Sequence, residues 1–363
     1  MRTSVSVALF AAALCSSGLT SAAPPATYRL TELGGDDSAT KFTTLNGVND
    51  AGHASVTVFA NGSAQAFLWQ GGQLIPLSGL DSVCGAGASR SAGGINNRDQ
   101  IIVGLNSPDG SCNKSVIWQG GKVIQVIGPP PPGYASVTGG HLNDFEHVIG
   151  GAQGIDGSVQ SPFVWFNGQF TILPVLPGGA TGGPGAAEAL ALNELGVVVG
   201  QSGSTDGLRA VLWRNGAVTS LGVCPGFGNS GASGINNLGE IVGGCEQFTF
   251  APFIWRNGQL TVLPIPASGP QSALAGGIND FEQIVGASEP TGGEPNDAGA
   301  ALLWQAGAVY DLNTLIARND PLKPYVRLLQ AGVITDTGII VANGEDSRVP
   351  NNGSIQFILT PVH

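Results

Sequence analysis

Between residues 91 and 126 the chain passes through four short runs rich in aliphatic residues: Ser91 to Ile95, Gln100 to Gly104, Lys114 to Trp118 and Lys122 to Val126. Turn residues separate them, and runs of this length between such breaks predict β-strands rather than helices. The third kind of run, seen again at Phe67-Leu-Trp69, is apolar on both faces, as a strand sandwiched between two other sheets must be. The first kind is rich in small residues, as in Ala92-Gly-Gly94, Gly139-Gly140, Gly231-Ala-Ser-Gly234 and Ala275-Gly-Gly277, which suits crowding at a central axis.

Two short phrases keep phase with these runs. An apolar-Asn-x-x-(Gly or acid) phrase is centred on Asn49, Asn96, Asn143, Asn193, Asn236 and Asn279, at spacings of 43 to 50 residues. A Trp-x-x-Gly phrase follows each, at Trp69, Trp118, Trp165, Trp213, Trp255 and Trp304, and the chain has no other tryptophan. A degenerate seventh copy of the Asn phrase runs from Val333 to Val341. Seven copies of a four-strand unit at this period predict an all-β fold, a seven-bladed β-propeller of four-stranded antiparallel blades.

The turn chemistry is specific. Asn-Gly or Gly-Gly after most of the tryptophans supplies the positive φ angles of a two-residue type I′ hairpin, which joins strands three and four. The Asn phrase suits a type I turn with a left-handed last residue, joining strands one and two; Gly52, Gly196, Gly239 and Gly338 fit that place. Asp99, Glu146 and Glu282 occupy it in other copies, where a left-handed conformation costs about 1 to 2 kcal/mol, so a different turn type is expected there. Tyr28 to Leu33 reads as a fourth strand with no first three before it, and Gln356 to Thr360 as a third strand with Leu359 in the place of Trp. Residues 28 to 33 are therefore expected to complete the blade begun at about residue 331 and to close the ring.

Composition bears on the compartment. Arg2, the apolar run from Val5 to Leu14 and the small residues ending at Ala22 read as a secretory signal peptide over residues 1–22, leaving 23–363 as a single propeller domain. No later run is long enough to span a bilayer, so a secreted, periplasmic or extracellular protein without an integral membrane segment is expected. The charge balance, 14 Lys+Arg against 25 Asp+Glu, lacks the basic cluster that nucleic acid requires. Cys84, Cys112, Cys224 and Cys245 remain after cleavage, an even number suited to two disulfides in an oxidising compartment. Cys84 and Cys112 occupy the same places in their unit as Cys224 and Cys245 in theirs, which predicts the pairs 84–112 and 224–245.

Gly94-Ile-Asn-Asn97 with Ile102-Val-Gly104, and Ala66-Phe-Leu-Trp69-Gln-Gly-Gly-Gln-Leu74, resemble the extracellular HAF-repeat proteins, over nearly the whole mature chain. That family is named for His-Ala-Phe ahead of the Trp. Here the triplets are Gln65-Ala-Phe67, Lys114-Ser-Val116, Ser161-Pro-Phe163, Arg209-Ala-Val211, Ala251-Pro-Phe253 and Ala300-Ala-Leu302, none with the histidine. The resemblance implies a divergent member, export and a repeat fold, and no common chemistry.

Reactive constellations are absent from the sequence. His53, His141, His147 and His363 do not recur with the repeat, and a zinc pair at His141 and His147 has no placed partners. There is no Gly-x-Ser-x-Gly elbow, no His-Glu-x-x-His and no calcium loop, so no catalytic residue, metal or cofactor is assigned. The six Asn are read as turn formers rather than a ligand-holding ring of amides. The six Trp are read as interblade packing rather than sugar-stacking platforms.

In such a blade the one-to-two and three-to-four turns share one face, while the two-to-three loops and the connections between blades share the other. The second face holds the length variation and both cysteine pairs, and irregular loops on a rigid scaffold are the usual carriers of binding. Tyr134, Phe248 and Phe250 are its candidate contact aromatics, with Asp109, Asp156, Glu246, Glu289, Glu294 and Asp297 as acids. The expected function is a monomeric ligand-binding or adhesion scaffold for an extracellular glycan or protein. The alternative is a propeller hydrolase or lyase acting on a polysaccharide or other polymer through loop carboxylates.

Overall fold

A computed structural model of the chain describes residues 25–33, 41–157, 160–179, 187–267, 271–289, 299–349 and 355–362. The expected signal segment 1–22, His363, Glu294 and Asp297 lie outside the described residues. Seven separate four-stranded antiparallel sheets follow one another in chain order. Blades 1 to 6 span residues 41–76, 89–127, 134–172, 187–222, 229–262 and 273–311, and each sheet keeps its strands in sequence order from the axis outward.

Blade 7 is the exception that closes the circle. Its first three strands are Val326–Ile334, Ile340–Asp346 and Ile355–Val362, and its outer strand is Thr27–Glu32 from the other end of the chain. Thr27 pairs with Val362, Leu30 with Leu359 and Glu32 with Phe357. Leu359 faces Ile340 as Trp118 faces Ile101 and Trp304 faces Ile284, so it holds the tryptophan's register.

The core is divided in the way the two-sided apolar strands require. Among the described residues seven apolar clusters lie one at each blade-to-blade interface. Ala66, Leu68, Val103 and Trp118 join blades 1 and 2, for example, and Val48, Val56, Val341 and Ile358 join blade 1 to blade 7. Each blade is thus stabilised mainly through its neighbours, as in other repeat architectures.

At the axis the first strands crowd one another. A Cβ on Gly93 would lie 2.5 Å from the Gly140 carbonyl of the next blade, and one on Gly277 would lie 2.7 Å from that of Gly332, so these positions accept only glycine. Every first strand also carries a register shift against the second, for instance between Leu45 and Gly47 and between Ala275 and Gly277. Such a bulge bends the strand and increases its twist.

The hairpins after the tryptophans have the predicted positive φ pairs: Gly71 and Gly72 at 59° and 83°, Asn215 and Gly216 at 53° and 77°. Ala306 adopts the same conformation, at 52°, without the freedom of glycine or the side chain of asparagine. The expectation of a different turn at Asp99, Glu146 and Glu282 is corrected: all three are left-handed, at φ 57°, 65° and 57°, in the same turn as the glycine copies. The conformational cost is offset because each acid reaches back to the preceding blade. Asp99 accepts from Asn49 Nδ2 at 2.8 Å and meets His53, Glu146 accepts from Gln100 and Arg98, and Glu282 accepts from Arg256.

Disulfides join Cys84 to Cys112 and Cys224 to Cys245, across 28 and 21 residues. Loops of that length contribute roughly 3 to 4 kcal/mol each on the chain-entropy account. They are consistent with an oxidising environment. Among the described residues no helix is long and apolar enough to cross a membrane.

Candidate functional site

The turn face is built by the Asn phrases, and their side chains have two duties. The Oδ1 of Asn193 accepts from Leu195 N at 3.1 Å and Val197 N at 3.0 Å, closing its own turn. Its Nδ2 donates 3.0 Å to the Asn236 carbonyl of the next blade. The same outward donation runs from Asn49 to Asn96, Asn96 to Asn143, Asn143 to Asn193, Asn236 to Asn279 and Asn279 to Thr335. All six amides are buried. Turn chemistry therefore accounts for half of the asparagine's recurrence, and blade-to-blade bonding for the rest.

The next residue in each phrase adds a second circuit that sequence reasoning missed. The backbone N–H of Asp50 donates to Asn97, that of Asn97 to Asp144, of Asp144 to Glu194, of Glu194 to Asn237, of Asn237 to Asp280, of Asp280 to Asp336, and of Asp336 back to Asp50. The distances are 2.7 to 2.9 Å, and the circuit closes over all seven blades. The signal was present in the sequence: the residue after each Asn, or after Thr335, is always an acid or asparagine. What the position requires is a side chain ending in an acceptor that reaches the neighbour's N–H, which Asp, Asn and Glu194 all supply.

Five carboxylates, those of Asp50, Asp144, Glu194, Asp280 and Asp336, consequently line a polar hollow of about 250 Å³ at the centre of this face. Burial pushes the Glu194 carboxyl above its ordinary range, with the charge of Asp144 adding to it. Burial does the same to Asp336, helped by Asp280 and Asp50. A carboxylate whose folded pKa is raised favours the fold when protonated. Its contribution is full below the unfolded value and is lost as pH rises through the folded one. Glu194→Gln keeps an acceptor for Asp144 N, as Asn97 and Asn237 do in their own blades. The variant is expected to exceed the wild type at pH 7 by a few tenths of a kcal/mol, allowing for solvent screening. The gap should shrink towards pH 4.5. Thermal unfolding at the two pH values reads this, and an equal or lower Tm for the variant at pH 7 contradicts it.

The loop face holds a different kind of concavity. A cleft of about 320 Å³ opens across blades 4 to 7. Leu190, Leu208, Phe250 and Leu274 form its apolar walls, with Gln201, Glu246 and Gln330 as polar members. These residues come from first, second and third strands of four blades, so no sequence spacing joins them. Small residues make the room: Gly231, Gly244, Gly276 and Gly286 all border it.

Of the three candidate aromatics, the structure brings only Phe250 to this cleft. Phe248 stands 96% exposed at the tip of its loop. Tyr134 is half-buried and packs against the cluster between blades 2 and 3, so it is removed from the cleft. Among the loop acids, Asp109 is held down to about 2 chiefly by the Ser107 hydroxyl and then by Ser111, which makes it a turn former. Glu246 is the one acid in the cleft lining among the described residues.

The histidines do not converge on a metal. The His147 ring stacks on Phe166 at 4.1 Å between centroids, and its Nδ1 lies 3.3 Å from Asn143 Oδ1. His141 sits on the innermost strand against Gly94, and burial holds both imidazoles below the ordinary histidine range. Among the described residues no three His, Cys, Asp or Glu side chains are grouped to hold a metal ion.

The tryptophans divide into two sets. Trp118, Trp165, Trp213 and Trp304 are buried in the interfaces with their preceding blades. Three of them donate an indole N–H to a carbonyl of that blade: Trp118 to Ser78, Trp213 to Pro174 and Trp304 to Pro264, at 2.8, 2.8 and 2.6 Å. Trp69 and Trp255 are only half-buried.

No family model matches the chain, and no curated protein matches it. Among solved structures, YCF48 from Cyanidioschyzon merolae aligns with a TM-score of 0.51 at 9% identity, covering 92% of this chain and 99% of that one. An acylaminoacyl peptidase aligns with a TM-score of 0.48 at 12% identity, covering 83% of this chain and 50% of the peptidase. A gluconolactonase from Xanthomonas campestris aligns at 0.38 and 9% identity, covering 92% and 90%. The chain is a β-propeller with distant propeller neighbours. Identities this low speak to the fold alone.

Proposed function

We propose that the protein is an exported binding scaffold that takes an apolar portion of an extracellular glycan or peptide into the loop-face cleft over blades 4 to 7. The observation that carries this is the cleft itself: about 320 Å³, walled by leucines and Phe250, with few polar side chains at its margin. Small-ligand sites generally combine such apolar walls with a few placed polar groups. The in-phase Asn and Trp phrases support grouping the chain with the HAF-repeat proteins, as a member without their histidine. The two disulfides and the apolar run from Val5 to Leu14 support export, with cleavage after Ala22 and residues 23–363 as one monomeric domain.

Glycan and peptide arrays probed with the purified protein test the reading. A bound ligand is expected to lose about tenfold or more in affinity on Phe250→Ala, the loss typical of an anchor residue. The protein recovered outside the cytoplasm is expected to begin at Ala23. Equal binding by the wild type, Phe250→Ala and Leu274→Trp would remove the cleft from the function. The polymer hydrolase or lyase reading is less well supported, because an acid and base pair needs two carboxyls and the described cleft lining has Glu246 alone.

A further inference from the structure

The turn face carries side chains that its hydrogen bonding does not need. The third residue of each Asn phrase projects into solvent, and its N–H bonds to the turn asparagine in blades 3, 4 and 6 whatever side chain it bears. In blades 1, 2 and 7 this residue is Ala51, Arg98 or Thr337. In blades 3 to 6 it is Phe145, Leu195, Leu238 or Phe281, exposed by 61%, 69%, 67% and 70%. Singly exposed apolar residues are ordinary, but these four fall on four consecutive blades and form one arc around the central hollow. Four exposed apolar side chains repeated at one position on neighbouring blades give this side of the face an apolar character that singly scattered residues do not.

The arc also extends outward. Leu238 borders a groove of about 360 Å³ between blades 4 and 5, which Leu212 and Trp255 line together with the charged Arg214, Glu240 and Arg256. Trp255 packs against the cluster between blades 4 and 5 but stays partly exposed, and its exposed part borders this groove.

Charge decides what can cover this surface. Inside the arc, in the same blades, lie Asp144, Glu194 and Asp280, with Asp50 and Asp336 completing the five carboxylates. A second copy docked face to face would set five carboxylates against five. An anionic lipid surface would meet the same repulsion at the hollow, where the five carboxylates gather and the arginines of this face, Arg98, Arg214 and Arg256, are not among the lining residues. A polypeptide bearing a lysine or arginine among apolar side chains satisfies both the carboxylates and the arc.

We propose that the turn face is a second docking surface, for a protein partner that places a basic side chain over the central carboxylates and apolar side chains across Phe145, Leu195, Leu238 and Phe281. It is separate from the loop-face cleft and stands or falls independently of it.

The test is selection of a phage-displayed random peptide library on the purified full-length protein, followed by fluorescence anisotropy with the selected peptides. Peptides with one Lys or Arg flanked by apolar residues are expected to be enriched. Their affinity should fall about tenfold or more for Phe145→Ser/Phe281→Ser, and should be unchanged for Phe250→Ala. Asp144→Asn/Asp280→Asn, which keeps the hydrogen-bond acceptors, should weaken binding less and reduce its salt dependence. Circular dichroism confirms that each variant is folded. The proposal is overturned if no such peptides emerge, or if they bind the Phe145→Ser/Phe281→Ser protein equally well. It is also overturned if the wild type sediments as a dimer that this variant dissolves, or binds phosphatidylglycerol vesicles through the same residues.

Discussion

Removing residues 27–33 is expected to abolish the folded ring. The strand carries Tyr28 and Leu33, 1% and 5% exposed, and the buried Leu30 into the cores on either side of blade 7. Burying side chains of this size stabilises by about 1.5 to 3 kcal/mol each. Their loss alone approaches the 5 to 15 kcal/mol or so that separates a typical domain from its unfolded state. The Tyr28 hydroxyl has its pKa pushed up to about 12 by burial, a measure of how far that side chain is from water. Backbone bonds are lost as well: Leu30 N donates 2.8 Å to Asp320 Oδ2, and Ala317 N donates 2.8 Å to the Tyr28 carbonyl. The strand Ile355–Val362 would become an unprotected edge with Phe357 and Leu359 behind it, a template for aggregation. The truncated protein should be recovered as aggregate or strand-exchanged oligomer, and a synthetic peptide of residues 25–33 added during refolding should restore the monomer. A soluble truncated monomer with the wild-type Tm would mean that the seam does not hold the ring.

Asn193→Ala should be among the strongly destabilising single substitutions on the turn face. It orphans the N–H groups of Leu195 and Val197 and the carbonyl of Asn236, all at or beside buried positions. An unsatisfied buried polar group costs about 1 to 3 kcal/mol, so a loss of about 3 kcal/mol or more is expected. Asn193→Asp keeps an acceptor for both N–H groups but turns an oxygen towards the Asn236 carbonyl, and should fall between alanine and the wild type. Chemical denaturation reads the series. If aspartate and alanine are equally harmful, the blade-to-blade bond is the whole of the asparagine's value; if aspartate matches the wild type, that bond contributes nothing.

That series also bears on what can be read from the chain. The seven-blade ring, the closure by the first strand and both cysteine pairs were legible, because each follows from residues that recur in phase and from the place where the phase breaks, at Leu359. The closing strand begins at Thr27, one residue before the expected start. The type of turn at Asp99, Glu146 and Glu282 was not legible, because left-handed propensity is a property of a single turn. The compensation lies in the preceding blade, at Asn49, Gln100 and Arg256. The circuit through Asp50, Asn97 and their equivalents was visible as a column of acids and asparagines, yet its meaning depends on neighbouring phrases being side by side in space. The loop-face cleft was not legible at all: Leu190, Phe250, Leu274 and Gln330 meet only because four blades converge, and no period connects them. Loop exposure singled out Phe248 and Tyr134 beside Phe250 for the same reason.

Thr27 and Val362 are register partners at one end of the outer strands of blade 7. Strand three of a blade runs towards the turn face, so both of these residues lie at that side of the molecule, close together. A tag, bead or surface coupled directly beyond Val362 would therefore sit beside Phe145 to Phe281's side of the disc and away from the cleft around Phe250. Sensor chips carrying the protein by its C terminus would offer the loop face to the flowing sample and shade the turn face. Coupling through an engineered cysteine at the Phe248 loop tip would reverse the presentation. Comparing the two orientations would show which side of the disc a captured molecule prefers before any residue is altered.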